Sequence, residues 1–430
     1  MMRLLLACAL LVSACSDDPM AGSDAGAPDA APDACTNCRS YSLASTGMQA
    51  IPGQPQMFQL GTANLADDAD VVSIHQDFYG LPWDEFEANQ PPPAEWEAKM
   101  SALAQQSAGM PVFLSLQLVG GAGRQYLADK AVVVSGNLST TANWSVRCYD
   151  FAQMADGASK RQAYLRYVDY MVRKFQPRWV NLAIEMNLFM PCGSAWNGLV
   201  DVANAAYDAA KAARPDVIAF PSIQIDLLYG YNNCPSPMTR DQCFDANYAK
   251  LSGLRRDRFA ISTYPYLIDA IKTVPNLPAD WFTRGADRGG ERIVIAETGW
   301  DATNAVGRLN STCFTALMSS PDDQTAYLSR LLDDAQAHGM DLVTWWSNRD
   351  LIPAQVMTDC PCTFDATWCN IVNAFRQTGG SDEMAQFYAE MTLKIWGTMG
   401  VRTYDGTERA TTYARWQQAR SRAIAKMGDH

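Results

Sequence analysis

The chain has 430 residues, 48% of them hydrophobic and 19% charged, with a formal net charge of −12. That apolar content can pack a large core, and the acidic balance excludes nucleic acid or an anionic lipid surface as the main partner. Only three histidines are present (His75, His338 and His430), which argues against a histidine-built zinc or iron centre, so no metal or other cofactor is expected.

The N-terminal run "MMRLLLACALLVSAC" has one cation, Arg3, and then an apolar stretch too short to span a bilayer, the pattern of an export signal. Val12-Ser13-Ala14-Cys15 resembles a bacterial lipobox. This implies a signal peptide over 1–14, lipidation of Cys15 and a place in the cell envelope, at the outer membrane or cell surface; plain secretion is the alternative. Setting aside Cys8 and Cys15, ten cysteines remain. An even number in an exported chain reads as a disulfide framework. Cys234 is expected to pair with Cys243, and Cys360 or Cys362 with Cys369 or Cys313. "CTNC" (35–38) and "CPC" (360–362) could suggest zinc, but no histidine or second close pair completes a tetrahedral set.

Residues 15–50 are rich in Ala, Asp, Pro, Gly and Ser and read as a tether, because they bury too little apolar surface to offset the entropy of ordering. A single domain is expected over 51–430. Within it, β-rich runs fall at 58–62, 71–75, 112–118, 179–185, 217–223, 258–262, 293–297 and 342–346. Several are continuously apolar, as parallel strands covered on both faces should be. Between them lie helical patterns at 160–175, 202–213 and 321–337, the last with Ser320 as N-cap, Pro321 at the first helical position and Gly339 beyond the end. Eight strands alternating with helices predict an α/β fold, the (β/α)8 TIM barrel. The loop 120–159 is too long for a bare connection and reads as a functional insertion.

Two strands end in an acid: "RWVNLAIEMNLF" reaches Glu185 and "RIVIAETGW" reaches Glu297. They close the fourth and seventh strands, and the C-terminal strand ends form the active-site face of such barrels. Paired carboxylates across that mouth are what glycoside hydrolysis requires, one to protonate the leaving oxygen and one to attack the anomeric carbon.

At this point the chain resembles the clan A (β/α)8 retaining glycoside hydrolases. "AETGW" is similar to the nucleophile segment of β-1,3-glucanases in that clan, which implies Glu297 as nucleophile. "IEMN" is similar to the acid/base segment of β-mannanases, which implies Glu185 as acid/base and Asn187 as a sugar contact. "AISTYPY" resembles the sixth-strand segment whose tyrosine hydrogen-bonds the nucleophile, implying Tyr264. "VTWWSNRD" resembles the eighth-strand segment whose tryptophan floors the sugar site, implying Trp345 or Trp346. "HQDFYGLPW" adds Asp77, Tyr79 and Trp83 after the second strand, and Trp300 stands beside the nucleophile; flat aromatic faces suit sugar C–H groups. The expected protein is a monomeric, exported glycosidase that cleaves a β-linked polysaccharide or oligosaccharide, in endo fashion. A non-catalytic carbohydrate-binding lipoprotein on the same scaffold is the alternative.

Overall fold

The computed structural model describes residues 37–47, 63–141, 146–231, 234–378 and 380–425. The leader, Cys15, Cys35 and the expected strand 58–62 lie outside the described residues.

Eight strand positions make one parallel sheet. In chain order they are β1 (Ser42–Thr46), β2 (Val71–His75), β3 (Val112–Ser115), β4 (Trp179–Asn181), β5 (Ile218–Phe220, resuming after Pro221 as Ser222–Gln224), β6 (Phe259–Thr263), β7 (Ile293–Thr298) and β8 (Leu342–Trp345). The hydrogen-bonded order runs from the second half of β5 through β6, β7, β8, β1, β2, β3 and β4 to the first half of β5. Its two ends are one strand, interrupted at Pro221, which has no N–H to give the ladder. Across the gap, Ser222 N–H donates to the Ala183 carbonyl and Leu182 N–H to that of Phe220. The sheet therefore closes into the expected (β/α)8 barrel, and closure removes the unpaired edges that an open sheet exposes.

The first strand is the one correction to the strand reading. β1 is Ser42–Thr46, inside the segment read as tether, and the domain begins before residue 51. "SLAST" has the small, polar composition of a linker, yet all five residues are buried. Neighbours on both sides explain this: Ser42–Ser45 pair with Leu342–Trp345 of β8, and Ala44–Thr46 with Val71–Ser73 of β2. The approach to β1 is fixed by the buried Arg39, whose guanidinium pairs with Asp70 at 2.6 Å and donates to the Tyr41 carbonyl.

Because side chains alternate along a strand, each strand offers one set to the barrel interior and the other to the helices. The interior starts with an apolar plug of Ala44, Val71, Phe113, Trp179, Phe220, Ala260, Val294 and Leu342. Two residues further along each strand the character changes to Thr46, Ser73, Ser115, Asn181, Ser222, Ser262, Ala296 and Thr344, all buried. The outward set, including Ile74, Leu114, Val180, Ile261, Ile295 and Val343, joins the main core under the helices. Burying each such side chain contributes roughly 1.5–3 kcal/mol.

The jacket includes Ala94–Gln106, Gly157–Phe175, Ala195–Ala213, Arg240–Ala249, Pro321–Ala337 and Ala410–Arg420. Pro321–Ala337 has the expected start, with the Ser320 hydroxyl accepting from the Asp323 N–H at 3.2 Å. A second, smaller core forms beyond β7 and β8, where the hairpin Ala305–Leu309/Thr312–Leu317 and the helices Ala366–Thr378 and Glu383–Lys394 enclose Ile352, Val356, Met357 and Met391. Two disulfides, Cys313–Cys360 and Cys362–Cys369, pin this lobe. Cys234 pairs with Cys243 as expected, and Cys148 with Cys192, a bridge the sequence reading did not include.

Since β1 separates β8 from β2, removing it should leave two unpaired edges. A chain beginning at residue 51 is expected to show no cooperative thermal unfolding by circular dichroism. A cooperative transition within a few degrees of the full chain's would contradict this placement of β1.

Candidate active site

The next interior level, at the C-terminal end of the strands, carries the functional groups. Parity places His75 and then Asp77 beyond Ser73, Gln117 beyond Ser115, Gln224 beyond Ser222, Tyr264 beyond Ser262 and Trp346 beyond Thr344. On β4 the same count of two runs from Trp179 through Asn181 and Ala183 to Glu185.

β7 breaks the count. Ile293 and Ile295 face the helices, so regular alternation would turn Glu297 outward with them. The pairing with β6 instead jumps from Ile261↔Ile295 to Ser262↔Glu297, leaving Ala296 as an extra residue. A β-bulge of this kind re-aims the side chain that follows it. Here it puts Glu297 on the interior, at the level of Ser262.

Ser262 then links the two acids, being the strand partner of Glu297 while its hydroxyl donates to Glu185 Oε1 at 2.8 Å. The other Glu185 oxygen accepts from Arg124 Nε at 2.9 Å, and Arg124 Nη2 also donates to Asp77 Oδ2 at 2.9 Å. The Glu185 backbone N–H donates to Ser222 Oγ at 2.9 Å, and Ser222 is itself held by Asn181. Both Arg124 (φ +48°) and Glu185 (φ +50°) adopt the left-handed backbone conformation. For residues with a side chain this costs about 1–2 kcal/mol each, and surrounding contacts must offset it. The Cys148–Cys192 bridge is one such contact, because Cys192 ends the short turn after Glu185 and the Cys148 N–H donates to the Gln125 carbonyl, next to Arg124.

Around Glu297, the Tyr264 hydroxyl donates to Oε1 at 2.5 Å, and His75 Nδ1 lies 3.7 Å from Oε2. Burial, and secondly the charge of Glu185, push the Glu297 carboxyl up to about 8, against the lowering effect of the Tyr264 hydrogen bond and Arg124. Burial lowers His75 to about 4, so the imidazole is neutral at ordinary pH. A fourth acid, Asp226, follows β5, and burial raises it to about 7, helped by Glu185.

Aromatic groups complete the rim. Trp346 is half-buried, meets His75 edge-on at 4.9 Å and stacks on Phe78, which is 46% exposed. Trp396 packs edge-on against Tyr264 at 4.3 Å.

The candidates from sequence thus divide. Glu185, Glu297, Tyr264, Asp77 and Trp346 converge. The other five are buried beside or behind the mouth. Asn187 bonds through both its amide oxygen and its amide nitrogen to the Gln224 backbone, at 2.7 and 2.9 Å, and so fixes β5. Trp345 has outward parity and donates to the Met399 carbonyl at 2.8 Å; Trp300 donates to Ser319 Oγ and Trp83 to the Ala128 carbonyl. Tyr79 is buried beneath Lys99. The sequence reading omitted His75, Gln117, Arg124, Asp226 and Trp396. Strand parity could have supplied His75 and Gln117; Arg124 and Trp396 sit on connections whose path no local pattern reveals.

Neither a protein-family model nor a curated protein matches this sequence. Solved structures do share its fold. The chain is similar to GH5_18 from Streptomyces cattleya in complex with GlcNAc (TM-score 0.54, 10% identity, 90% of this chain and 83% of that one). It is also similar to the exo-beta-1,4-mannosidase Op5Man5 from Opitutaceae bacterium strain TAV5 (TM-score 0.52, 13% identity, 90% of this chain and 60% of that one). At such identities the likeness establishes the barrel fold.

Arg124 is the cation between Asp77 and Glu185, and all three side chains are less than a quarter exposed. Removing one partner of a buried pair leaves uncompensated charge, at a cost of about 3–5 kcal/mol. Arg124→Met should lower the unfolding free energy by about this much in urea at pH 8, and by less at pH 5, where protons can take the place of the lost cation. A loss below about 1 kcal/mol at both pH values would show that Arg124 is not the neutralising group.

Proposed function

We propose that this protein is a retaining glycoside hydrolase acting on a β-linked polysaccharide or oligosaccharide, with Glu297 as nucleophile and Glu185 as acid/base. The observation that carries this reading is the pair itself: two glutamates at the C-terminal ends of β4 and β7, joined through Ser262, one facing Tyr264 and the other Arg124. In the first step Glu297 attacks the anomeric carbon while the bond to the leaving oxygen breaks, and the Glu185 proton passes to that oxygen. In the second, Glu185 takes a proton from water, whose oxygen displaces Glu297 from the same carbon. The first step needs one proton on the pair and the second needs Glu185 ionised, and the rise of Glu297 to about 8 supports a pair that keeps one proton at neutral pH before the sugar is attacked. Tyr264 is placed to hold Glu297 in line, and Trp346 with Phe78 to offer apolar faces to sugar rings.

Export and lipid anchoring through Cys15 belong to the same proposal. The leader pattern and the disulfides support it, since such bridges persist in oxidising compartments. The sugar is open among β-glucan, mannan and galactan. A neighbouring structure is a β-1,4-mannosidase by name, so a β-mannoside should lead the panel tested.

The two acids should fail differently. Glu297→Gln should nearly abolish turnover of every substrate. Glu185→Ala should lose about 10²–10⁴-fold on natural substrates, yet keep measurable activity on aryl glycosides with acidic phenols, and azide should raise that activity. NMR of the wild-type reaction should show the first product with the β configuration. Equal behaviour of both variants on both substrate types would overturn the roles, and sugar binding without turnover by the wild type would make the protein a carbohydrate-binding module.

A further inference from the structure

On four adjacent strands, β8, β1, β2 and β3, the polar interior level presents hydroxyls that have no hydrogen-bond partner among the described residues: Thr344 Oγ1, Thr46 Oγ1, Ser73 Oγ and Ser115 Oγ. Each residue is at most 2% exposed. Thr46 is the register partner of Ser73, and Ser115 that of His75. The His75 Nε2 atom is likewise buried and unpartnered. On the opposite wall the same level is satisfied, Asn181 by Ser222 and Ser262 by Glu185. One half of the barrel interior therefore collects five unpaired polar atoms, one of them on the imidazole whose other nitrogen faces Glu297.

We propose that this half of the barrel binds a small cluster of water held by Thr46, Ser73, Ser115, Thr344 and His75, and that the cluster fixes His75 as a positioning residue for Glu297. Unpaired buried hydroxyls are costly, and an enclosed water that makes two to four hydrogen bonds removes the cost. The chemistry of the lining selects water over an ion. Four hydroxyls both donate and accept and carry no charge, and the fifth group is a neutral imidazole, lowered to about 4 by its burial. The charged groups facing His75 are Glu297 and Asp77 with its partner Arg124, all on the mouth side. A water donating to Nε2 makes that nitrogen the acceptor, so the proton resides on Nδ1, which faces Glu297 Oε2 at 3.7 Å. The buried network thus presents an N–H to the second oxygen of the carboxylate whose first oxygen receives the Tyr264 hydroxyl.

The proposal relies on the nucleophile reading only for its kinetic consequence, so the tests separate the two. The chain has three histidines, which makes ¹⁵N-histidine NMR of the full protein readily assignable. His75 should be the neutral Nδ1–H tautomer and remain so down to about pH 5, above its titration near 4. A crystal structure should show water bonded to Nε2 and to at least two of the four hydroxyls. In Thr46→Val/Thr344→Val, which keeps shape and removes two hydroxyls, the tautomer should become mixed, and kcat should fall about tenfold with KM within about twofold. An Nε2–H tautomer in the wild type, or hydroxyls found bonded to backbone carbonyls with no water between them, would overturn the water site whatever the activity. A correct tautomer with unchanged kcat in the double variant would remove the role assigned to His75.

Discussion

Two-residue alternation along eight parallel strands, in a sheet closed on itself, governs which side chains this protein can use. Inward positions build an apolar plug, above it a ring mostly of Ser, Thr and Asn, and then the mouth that holds Glu185 and Glu297. The rule has one decisive exception at Ala296. Without the extra residue there, Glu297 would lie among Ile293, Ile295 and the helices. With it, the carboxylate stands at the level of Ser262, and the acid of β7 meets the acid of β4. Bulges interrupt the ladder locally, so a barrel accommodates one where a particular side chain must be re-aimed.

The mouth is held by connections as well as by strands. Arg124 arrives on the insertion after β3, and the Cys148–Cys192 bridge ties that insertion to the turn following Glu185. Its guanidinium sits between Asp77 and Glu185, so three acids and a neutral histidine share one cation within a buried space. Burial and mutual repulsion raise Glu297 and Asp226 towards neutrality. Clefts that perturb carboxyl groups in this way are where proton-transfer chemistry is found. The opposite end of the barrel has a different character. A cavity of about 780 Å³ there is lined by Lys174, Arg178, Arg214, Arg258 and Arg292, with Asp216 and Asp341 paired to three of these cations. Lys174 lies in the last turn of Gly157–Phe175, and Arg214 caps Ala195–Ala213. Cations at helix C-termini complement the helix dipole, and Arg258 and Arg292 have a carboxylate partner in Asp341, so these charges read as structural.

How much of this could be read in the sequence follows from which features are local. Seven strand positions carry their own signal as β-rich runs, and both glutamates stand where two of those runs end in an acid. β1 did not, because "SLAST" has no apolar periodicity and is buried only through the partners on either side of it. Neighbouring tryptophans show the same limit at finer scale: Trp345 and Trp346 are equal in composition, and only inward or outward parity decides that Trp346 reaches the mouth. The two amide contacts of Asn187 to Gln224 depend on the path of the turn after Glu185, not on the spacing within "IEMN". Arg124 and Trp396 come from connections far from either acid in sequence, and only the closed barrel brings them there.

The account stands on Glu297 as the group that bonds to sugar. The most direct measurement is trapping with a panel of activated 2-deoxy-2-fluoro β-glycosides in the gluco, manno and galacto series, followed by peptide mass spectrometry. The fluorine slows release of a glycosyl–enzyme intermediate more than its formation, so a retaining enzyme accumulates the ester. The account predicts one sugar per chain, attached at Glu297, with release restored by an acceptor sugar. Attachment at Glu185, or hydrolysis with inverted configuration and no trapped adduct, would contradict it.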